Sequence, residues 1–365
     1  MVWGSGSSLI SLNRNRFNPF ADRTVTKIRA GITAGDINGV GIELILRAFS
    51  ERSLLDLCTP ILYADMNVMN YHMDALHMSN VPLSMISEEA GAKEGVLNVF
   101  SMWNDPVSFN LGKNSPSGGK YALESLQRAS KAIEEGSIDL MITAPLNKNN
   151  IEYRGFNGHT GFLAERFGKE AIMIMVSEEI KVALVTGHIP ISEVSQSLTA
   201  DLVLGKIKAL HQSLIGDFGI EDPSIAVLGL NPHAGDEGLI GKEDIEIIAP
   251  AVSHAREQEI SASGPISADG FFGSKSYKHY DGILAMYHDQ GLLPFKSISF
   301  DTGVNFTAGL SIVRTSPGHG VAYDLAGQGR ASTTSFEESV RLACDIYRRR
   351  FNLAEEQYFI DDVEA

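Results

Sequence analysis

The chain has 365 residues, of which 44% are hydrophobic and 21% charged, and its formal net charge is −15 at pH 7. This length allows two domains of ordinary size, and no apolar run approaches the length of a membrane-spanning helix. The negative charge argues against a general nucleic-acid or acidic-membrane partner, because such partners need a basic face. Cys58 and Cys344 lack a C-x-x-C pattern, which favours two reduced, buried thiols in a cytoplasmic protein.

Residues 1–26 are rich in Ser, Asn and Arg and lack the apolar core of a secretory signal, so we interpret them as an N-terminal extension outside the fold. From Lys27 onward, short β-prone apolar runs alternate with amphipathic runs of helical length. This alternation is typical of an α/β protein, and it predicts a largely parallel core sheet. In such sheets, ligands bind beyond the carboxyl ends of the strands.

The first predicted strand, 28–33, leads into a glycine-rich turn over 35–43, which reads G-D-I-N-G-V-G-I-E and opens a helix. Such a turn can hold a phosphate, but this one follows neither G-x-G-x-x-G nor the P-loop pattern. A tight turn with a packing role explains it equally well.

A predicted strand over 138–143 ends in the polar loop T-A-P-L-N-K, and G-F-N-G-H-T then places His159 and Thr160 just before a helix. Free backbone N–H groups and the helix dipole favour a phosphate there, although a simple N-cap by Thr160 is an equally good interpretation. The next runs, 171–176 and 181–186, predict two successive strands that could pair as a hairpin.

Three histidines, His188, His233 and His288, each follow a predicted strand. One such histidine is usually structural. The carboxyl ends of neighbouring parallel strands converge, however, and three imidazoles with an open position are a common catalytic site for Zn²⁺ or a similar cation. The wide spacing of the three along the chain excludes a zinc finger. The residues alone leave a metal site and three structural histidines as alternatives.

The segment from Tyr280 to Ser316 places polar residues in apolar or glycine-rich sequence. A buried charge there is costly unless it has a partner, and an anionic ligand is the predicted partner. The candidates in this segment, beside His288, are Asp289, Lys296, Asn305 and Arg314.

Several long motifs resemble the family of 4-hydroxythreonine-4-phosphate dehydrogenases of vitamin B6 biosynthesis, and they occur in the same order. The motifs are G-H-T, T-A-P-L-N-K, V-A-L-V-T-G-H-I-P, L-N-P-H-A-G-D-E-G-L-I-G-K-E, G-P-I-S-A-D, M-Y-H-D-Q-G-L-L-P-F-K, G-V-N-F-T-A-G-L and I-V-R-T-S. The resemblance is collinear from about Lys27 to the final predicted helix. Motifs in a shared order are far more specific than any one of them.

The resemblance implies the fold of the isocitrate and isopropylmalate dehydrogenases, with two α/β/α domains and a cleft between them. The first domain would comprise 27–150 and 297–365, on the NAD side. The second would comprise 151–296 and carry the metal and the dimer contacts. The resemblance also implies a homodimer with the active site between subunits, so the three histidines need not come from one chain.

Carried over motif by motif, the resemblance assigns roles to individual residues. The metal ligands would be His188, His233 and His288, around one divalent ion such as zinc, magnesium or cobalt. The substrate contacts would be His159, Thr160, Lys296, Asn305 and Arg314. The segment H-G-V-A-Y-D-L-A-G-Q-G is similar to the adenosine loop of the related dehydrogenases, which implies that His319, Gly320 and Asp324 lie beside NAD or NADP.

Lys296, Asp289 and Asp269 are the candidates for catalytic proton transfer. Either aspartate could act as the base or fix the tautomer of a histidine, and a buried structural aspartate is the alternative for both.

The implied reaction is NAD-dependent oxidation of 4-phosphohydroxy-L-threonine at C3, followed by decarboxylation to 3-amino-2-oxopropyl phosphate and CO2. Gly161 stands where the family usually has a glutamate after G-H-T. This difference leaves dehydrogenases for 4-phospho-D-erythronate or phosphothreonate as alternatives. A non-redox acyltransferase or a metal-stabilised binding protein on the same scaffold is a further one, because a fold alone does not determine function.

Overall fold

A computed structural model of the protein describes residues 27–103, 105–168 and 171–353. The predicted extension, 1–26, lies outside the described residues. No helix in the described part of the chain combines the length and apolarity that crossing a membrane requires.

Twelve strands form one sheet in the order β3-β4-β2-β1-β5-β12-β11-β6-β7-β10-β8-β9. The strands are β1 (Arg29–Thr33), β2 (Thr59–Ala64), β3 (Leu83–Ile86), β4 (Leu97–Ser101), β5 (Leu140–Thr143), β6 (Ile172–Val176), β7 (Lys181–Leu184), β8 (Ile225–Leu228), β9 (Ala262–Ile266), β10 (Gly282–Ala285), β11 (Val304–Ala308) and β12 (Arg314–Pro317).

Helices precede or follow most of these strands. The helices are α1 (Gly41–Ala48), α2 (Arg52–Leu57), α3 (Met66–Ala75), α4 (Pro116–Glu134), α5 (His159–Phe167), α6 (Ile191–Ser197), α7 (Ala200–Gly216), α8 (Ala249–Glu257), α9 (Ala268–Gly273), α10 (His288–Ser299) and α11 (Thr334–Phe351). This confirms the predicted α/β class.

The sheet consists of two parallel blocks that run in opposite directions. β3, β4, β2, β1, β5 and β12 pair in parallel as the first block, and β7, β10, β8 and β9 as the second. The direction reverses at β11 and β6, which pair antiparallel with each other and with their outer neighbours. The predicted hairpin is therefore present as β6 and β7, and the prediction of a largely parallel sheet is confirmed, with antiparallel pairing confined to the three pairs at the reversal.

The strands of the first block come from 27–150 and from the chain after 297, and those of the second block come from 151–296. The assignment of these ranges to two domains stays a prediction. The strands β1, β5, β8 and β10 have almost no exposed surface, and β8 and β10 are continuous apolar runs, as expected for strands covered by helices on both faces.

Helix α4 illustrates how local sequence sets the elements around the site. Ser115 caps it by accepting a hydrogen bond from Gly118 N, and Pro116 occupies its first turn, where the missing N–H costs nothing. Its buried face carries Ala122, Leu126 and Ala129 at helical spacing. The helix therefore packs against the first block and brings its N-terminus to the glycine-rich turn after β1.

Candidate active site

A cavity of about 630 Å³ lies where the two blocks of the sheet meet. The first block contributes the loop after β5 and the segment from Arg314 to Tyr323. The second block contributes His188 and the face of α10 that carries Leu292 and Lys296. β11, at the reversal of the sheet, adds Asn305. The cavity therefore depends on both halves of the chain.

The lining of this cavity is basic. It includes Lys148, Lys296 and Arg314, and among the described residues that line it there is no aspartate or glutamate. The chain as a whole carries a charge of −15, so the positive charge at this site is local. Such a cavity favours an anionic ligand.

Arg314, the first residue of β12, is only 1% exposed. Its Nε and Nη2 donate to Oγ1 of Thr143, and its Nη1 donates to Oγ1 of Thr307 at 2.9 Å. Burial without a nearby carboxylate lowers the pKa of Arg314 to about 9. A buried guanidinium that borders a cavity and is held only by hydroxyl groups indicates an anionic ligand as its partner.

Helix α5 begins at the cavity with His159 and Thr160. The preceding Gly158 has φ 99°, a conformation that favours glycine, and no side chain caps the helix. The free N–H groups of the first turn are therefore available to a ligand, and the alternative interpretation, an N-cap by Thr160, does not apply. Burial, and then the charge of Arg314, lower the pKa of His159 well below its usual value, so this imidazole is neutral.

Three buried polar atoms of the lining have no hydrogen-bond partner among the described residues: His159 Nε2, Asn305 Oδ1 and His319 Nε2. An unpaired buried polar atom is rare in a native fold and costs about 1–3 kcal/mol. All three belong to one cavity, which indicates that a bound molecule completes their hydrogen bonds. Two of these residues were predicted as substrate contacts and one as a cofactor contact.

His188 and His288 lie side by side in the cavity, with their ring centroids 5.0 Å apart. His288 opens α10, and its Nδ1 is hydrogen-bonded to Oδ1 of Asp289 at 2.7 Å. That bond fixes the ring and leaves Nε2 for a ligand. Burial, followed by the charges of His288 and Lys148, lowers the pKa of His188, which favours the neutral form that binds metals.

Gln290, in the H-D-Q-G motif that follows β10, connects two strands of the second block. Its Oε1 accepts from the backbone N–H of Met286 at 2.7 Å, and its Nε2 donates to the carbonyl of Gly229 beyond β8. The side chain thereby ties the ends of β10 and β8 together and fixes the start of α10. The position of His288 follows from this local structure.

His233 does not line the cavity. It is exposed on a turn after β8 in which residues 233–237 all have φ between 45° and 83°. Non-glycine residues adopt this left-handed conformation at a cost. The fully buried Asp244 stabilises the start of the turn, because it accepts from the N–H groups of Leu230 at 2.7 Å and Asn231 at 3.1 Å.

Asp269 and Asp289, the carboxylates predicted for proton transfer, do not line the cavity either. Asp269 is exposed, and a hydrogen bond from Ser267 is the largest of several effects that lower its pKa, among them the charge of His233. Asp289 is exposed and reaches the cavity only through His288. Lys296 is the one predicted catalytic residue that lines it.

The positions of the three histidines determine how much of the predicted metal site one chain can form. In the described part of the chain, no three His, Cys, Asp or Glu side chains are grouped so that they could hold a metal ion. The predicted convergence therefore applies to His188 and His288 and not to His233 of the same chain. Two neighbouring imidazoles fit two positions of a metal site, which needs at least one further donor.

Of the residues predicted beside the cofactor, His319 and Gly320 line the cavity, whereas Asp324 is exposed and does not. His319 Nδ1 is hydrogen-bonded to the carbonyl of Gly320 at 2.9 Å. Two residues at or behind this wall were not predicted from the sequence. Tyr323 lines the cavity and donates a hydrogen bond to the buried Asp36, and only its place within the H-G-V-A-Y-D motif could have indicated it.

The fold and the site together define an α/β protein with a basic cavity that contains two neighbouring imidazoles. Residues 56–343 match the family model described as "Pyridoxal phosphate biosynthetic protein PdxA". The chain belongs to this family.

Relatives of the chain are named as dehydrogenases. This chain is 49% identical over 329 residues to the 4-hydroxythreonine-4-phosphate dehydrogenase of Bacteroides thetaiotaomicron. The match covers 89% of this chain and 90% of that protein. The crystal structure of the enzyme of that name from Klebsiella pneumoniae matches with TM-score 0.76 and 31% identity, covering 89% of this chain and 99% of that one.

A structure with another named activity also matches. It is a terephthalate 1,2-cis-dihydrodiol dehydrogenase from Burkholderia xenovorans, with TM-score 0.57 and 25% identity, covering 87% of this chain and 98% of that one. The chain is thus an enzyme of the dehydrogenase class and of a family that functions in pyridoxal phosphate biosynthesis.

Proposed function

We propose that this chain oxidises 4-phosphohydroxy-L-threonine at C3 with NAD⁺ or NADP⁺ and decarboxylates the product to 3-amino-2-oxopropyl phosphate and CO2. The observation that carries the proposal is the buried guanidinium of Arg314, which borders a basic cavity without a carboxylate partner. The relatives' names specify the substrate. The sections of chain that line the cavity are the ones on which the family resemblance rests.

The substrate carries a phosphate and a carboxylate, and the cavity offers matching donors. We assign these anionic groups to Arg314, Lys296 and the N-terminus of α5 with Thr160. Guanidinium and ammonium groups form short, strong hydrogen bonds to such oxygens. Asn305 Oδ1 and His159 Nε2, both without partners, would then pair with the amine and hydroxyl groups of the substrate.

The chemistry follows from removal of a hydride from C3. The nicotinamide would accept that hydride, and the cofactor would lie along the wall that carries His319 and Gly320. The hydroxyl proton leaves at the same time, so that C3 becomes a ketone β to the carboxylate. The bond between the carboxylate and C2 then breaks, its electrons pass into the ketone, and C2 takes up a proton.

Proton transfer is assigned to groups within reach of the cavity. We propose Lys296 as the residue that exchanges a proton with the ligand, because it is the candidate that lines the cavity. Asp289 would act indirectly, by holding the ring of His288 through the 2.7 Å hydrogen bond. Asp269 does not line the cavity and interacts electrostatically with His233, so we assign it no proton transfer in the cavity of its own chain.

We also propose a divalent metal at His188 and His288, with His233 of a second copy as the third ligand. The two rings of one chain, 5.0 Å apart, fit two ligand positions. An ion there would supply Lewis-acid polarisation of the reacting oxygen. The imidazoles themselves would hold and orient the ion, and the lowered pKa of His188 favours the neutral form that binds metals.

A homodimer is the proposed assembly, as the third ligand requires. Several large apolar side chains on the second half of the chain are exposed, among them Ile191 at 71%, Leu239 at 83% and Leu293 at 66%. Leu239 follows the turn that carries His233, and Leu293 lies on α10. A second copy that covers these side chains would bring its own His233 turn towards the cavity.

Two buried free thiols, Cys58 and Cys344, support a cytoplasmic location.

A second candidate function concerns the substituent at C2 of the substrate. No carboxylate among the described lining residues is available to pair with an ammonium group. This observation favours a site that also accepts a hydroxyl at C2, as in 4-phospho-D-erythronate. The match to a dehydrogenase of another named substrate shows that activity varies on this fold.

Kinetic comparison of three substrates tests the proposal. The purified protein is supplied with NAD⁺ and a divalent metal, and kcat/KM is measured by NADH absorbance for 4-phosphohydroxythreonine, 4-phosphoerythronate and phosphothreonate. The highest value is expected for 4-phosphohydroxythreonine. A higher value for either other compound would replace the substrate assignment, and no NADH from any of them would favour a non-redox function.

A further inference from the structure

Two segments at the wall of the cavity pack directly against each other: the glycine-rich turn after β1 and the loop after β12. Val40 N donates to the carbonyl of Val321 at 3.0 Å. A Cβ atom at Gly39 would lie 2.2 Å from Cγ1 of Val321, so only glycine permits this approach. Farther along, Gly327 N donates to the carboxylate of Glu43 at 2.9 Å. These contacts favour the packing role of the turn over a phosphate-binding role.

The hydroxyl of Tyr323 forms the central link between the two segments. It donates to Oδ2 of Asp36 at 2.6 Å and accepts from Nδ2 of Asn150 at 3.3 Å. Asp36 is fully buried, and its other carboxylate oxygen accepts from Asn38 N at 3.0 Å. The N-terminus of α4 closes over it, because a Cβ at Gly118 would lie 2.2 Å from Oδ1 of Asp36.

Tyr323 therefore connects three loops while its own side chain borders the cavity. Without its hydroxyl, one oxygen of a buried carboxylate would lose its partner, which is more costly than the loss of an exposed hydrogen bond. Burial, together with the bond to Asp36, raises the pKa of Tyr323 to about 12. The phenol is therefore a proton donor to Asp36 at neutral pH and not a base.

We propose that Tyr323 is a positioning residue, whose hydrogen bond to Asp36 holds the H-G-V-A-Y loop in the conformation that binds the nicotinamide dinucleotide. The inference rests on the proposed function, since it concerns the cofactor of that reaction. The ring of Tyr323 and the backbone of His319 and Gly320 belong to one wall. A change at the hydroxyl is thus transmitted to that wall and much less to Arg314, on the neighbouring strand β12.

The variant Tyr323→Phe removes the hydroxyl and retains the ring. The dissociation constant for NAD⁺, measured by titration of protein fluorescence without substrate, is expected to rise about fivefold, the factor that one hydrogen bond is worth. The KM for NAD⁺ should rise by the same factor. The KM for the phosphorylated substrate and kcat should stay within about twofold, a split that general destabilisation does not produce.

Tyr63→Phe is the matched control. Tyr63 is also buried and donates to a carboxylate, Glu89, at 3.2 Å, but it lies away from the cavity. Both variants should lose thermal stability, and only Tyr323→Phe should lose NAD⁺ affinity. A second variant, Asp36→Asn, has one acceptor oxygen where the carboxylate uses two, so it weakens the link to Tyr323 and should also raise the dissociation constant for NAD⁺.

The outcomes separate this inference from the proposed function. If wild-type protein neither binds nor reduces NAD⁺ or NADP⁺, both are wrong. If wild type binds NAD⁺ and Tyr323→Phe binds it equally well, the inference alone is wrong. An equal loss of affinity in Tyr63→Phe would also overturn it, because general destabilisation would then explain the effect.

Discussion

The guanidinium of Arg314 donates through Nε to Oγ1 of Thr143 at 3.0 Å, so that a charge from β12 rests on a hydroxyl from the neighbouring strand β5. A hydroxyl orients a guanidinium but does not neutralise it. The positive charge of Arg314 is therefore left for an anionic ligand to neutralise. Its removal should affect both the stability of the ligand-free protein and the binding of the substrate.

The variant Arg314→Met replaces the buried charge by an apolar side chain of similar length. We expect kcat/KM for the phosphorylated substrate to fall by about a hundredfold or more, because a charged hydrogen bond is lost. The thermal stability of the ligand-free protein should stay equal or rise, since an uncompensated buried charge is removed. Steady-state kinetics and calorimetry check both expectations.

Arg350→Met is the control for that variant. Arg350 is also largely buried, but its Nε is paired with Oδ1 of Asp217 at 2.6 Å, away from the cavity. Its loss removes the ion pair of the buried Asp217, which keeps only the side-chain hydrogen bond from Ser213, and should lower the free energy of unfolding by about 3 kcal/mol, with KM unchanged. If both variants lose the same stability and neither changes KM, the assignment of Arg314 to an anionic ligand is wrong.

The stability of the protein should fall in acid because of His72. This fully buried imidazole is hydrogen-bonded through Nε2 to the carbonyl of Ile37 at 3.0 Å, and burial lowers the pKa of His72 to about 4. Between pH 6.5 and 4 the unfolded chain takes up a proton that the folded protein excludes. The free energy of unfolding should therefore fall by about 3 kcal/mol over that interval.

His72→Gln isolates this effect, because a glutamine amide can still donate to Ile37 but does not titrate. Urea unfolding at several pH values should give a shallower acid slope for the variant than for wild type. His159, whose pKa is also lowered, contributes equally to both proteins and cancels in the difference. Identical slopes would show that His72 does not carry the acid sensitivity.

The turn that carries His233 should depend on Asp244. This carboxylate has no exposed surface and accepts hydrogen bonds from Leu230 N, Asn231 N and Nδ2 of Asn231. Asp244→Ala leaves these donors without a partner beside a left-handed turn, and the free energy of unfolding should fall by about 2–4 kcal/mol. Asp244→Asn, which retains one acceptor, should lose less. Equal losses in denaturant titrations would contradict this account of the turn.

The proposed metal site predicts which histidines bind metal. His188→Ala and His288→Ala should each lose the bound divalent ion, measured by elemental analysis, while circular dichroism shows the fold retained. His211→Ala, on α7 away from the cavity, should keep the ion. Metal content unchanged in both cavity variants would refute the site.

A mixing experiment tests whether His233 acts across the proposed dimer. His188→Ala and His233→Ala should each be inactive alone. After subunit exchange, half of the dimers should be mixed, each with one intact site, so about a quarter of the wild-type activity should return. No recovery, despite exchange verified by mass spectrometry, would place all three histidines in one chain's site or exclude His233 from it.

Elements that are encoded by a short local pattern can be predicted well from the sequence. The strand before His288 and the hairpin of β6 and β7 follow from apolar runs bounded by polar turns. Strand β3 was not predicted, because it lies at an edge of the sheet, has a single buried residue and so lacks a continuous apolar run.

The relative direction of the two blocks could not be predicted from the sequence. It depends on the antiparallel pairing of β11 with β6, two strands more than a hundred residues apart, and no local pattern encodes such pairing. For the same reason the sequence could predict that His188, His233 and His288 follow strands, but not that only two of them meet in one chain. Tyr323 and Asp36 illustrate the same limit, since 287 positions separate them along the chain.

The most direct test of the central claim is one assay of the wild-type protein with NAD⁺, a divalent metal and 4-phosphohydroxythreonine, in which NADH and CO2 are measured together. We expect equal amounts of both products, and formation of both about a hundredfold more slowly by Arg314→Met at the same subsaturating substrate concentration. NADH without CO2, or full activity in Arg314→Met, would contradict the central claim.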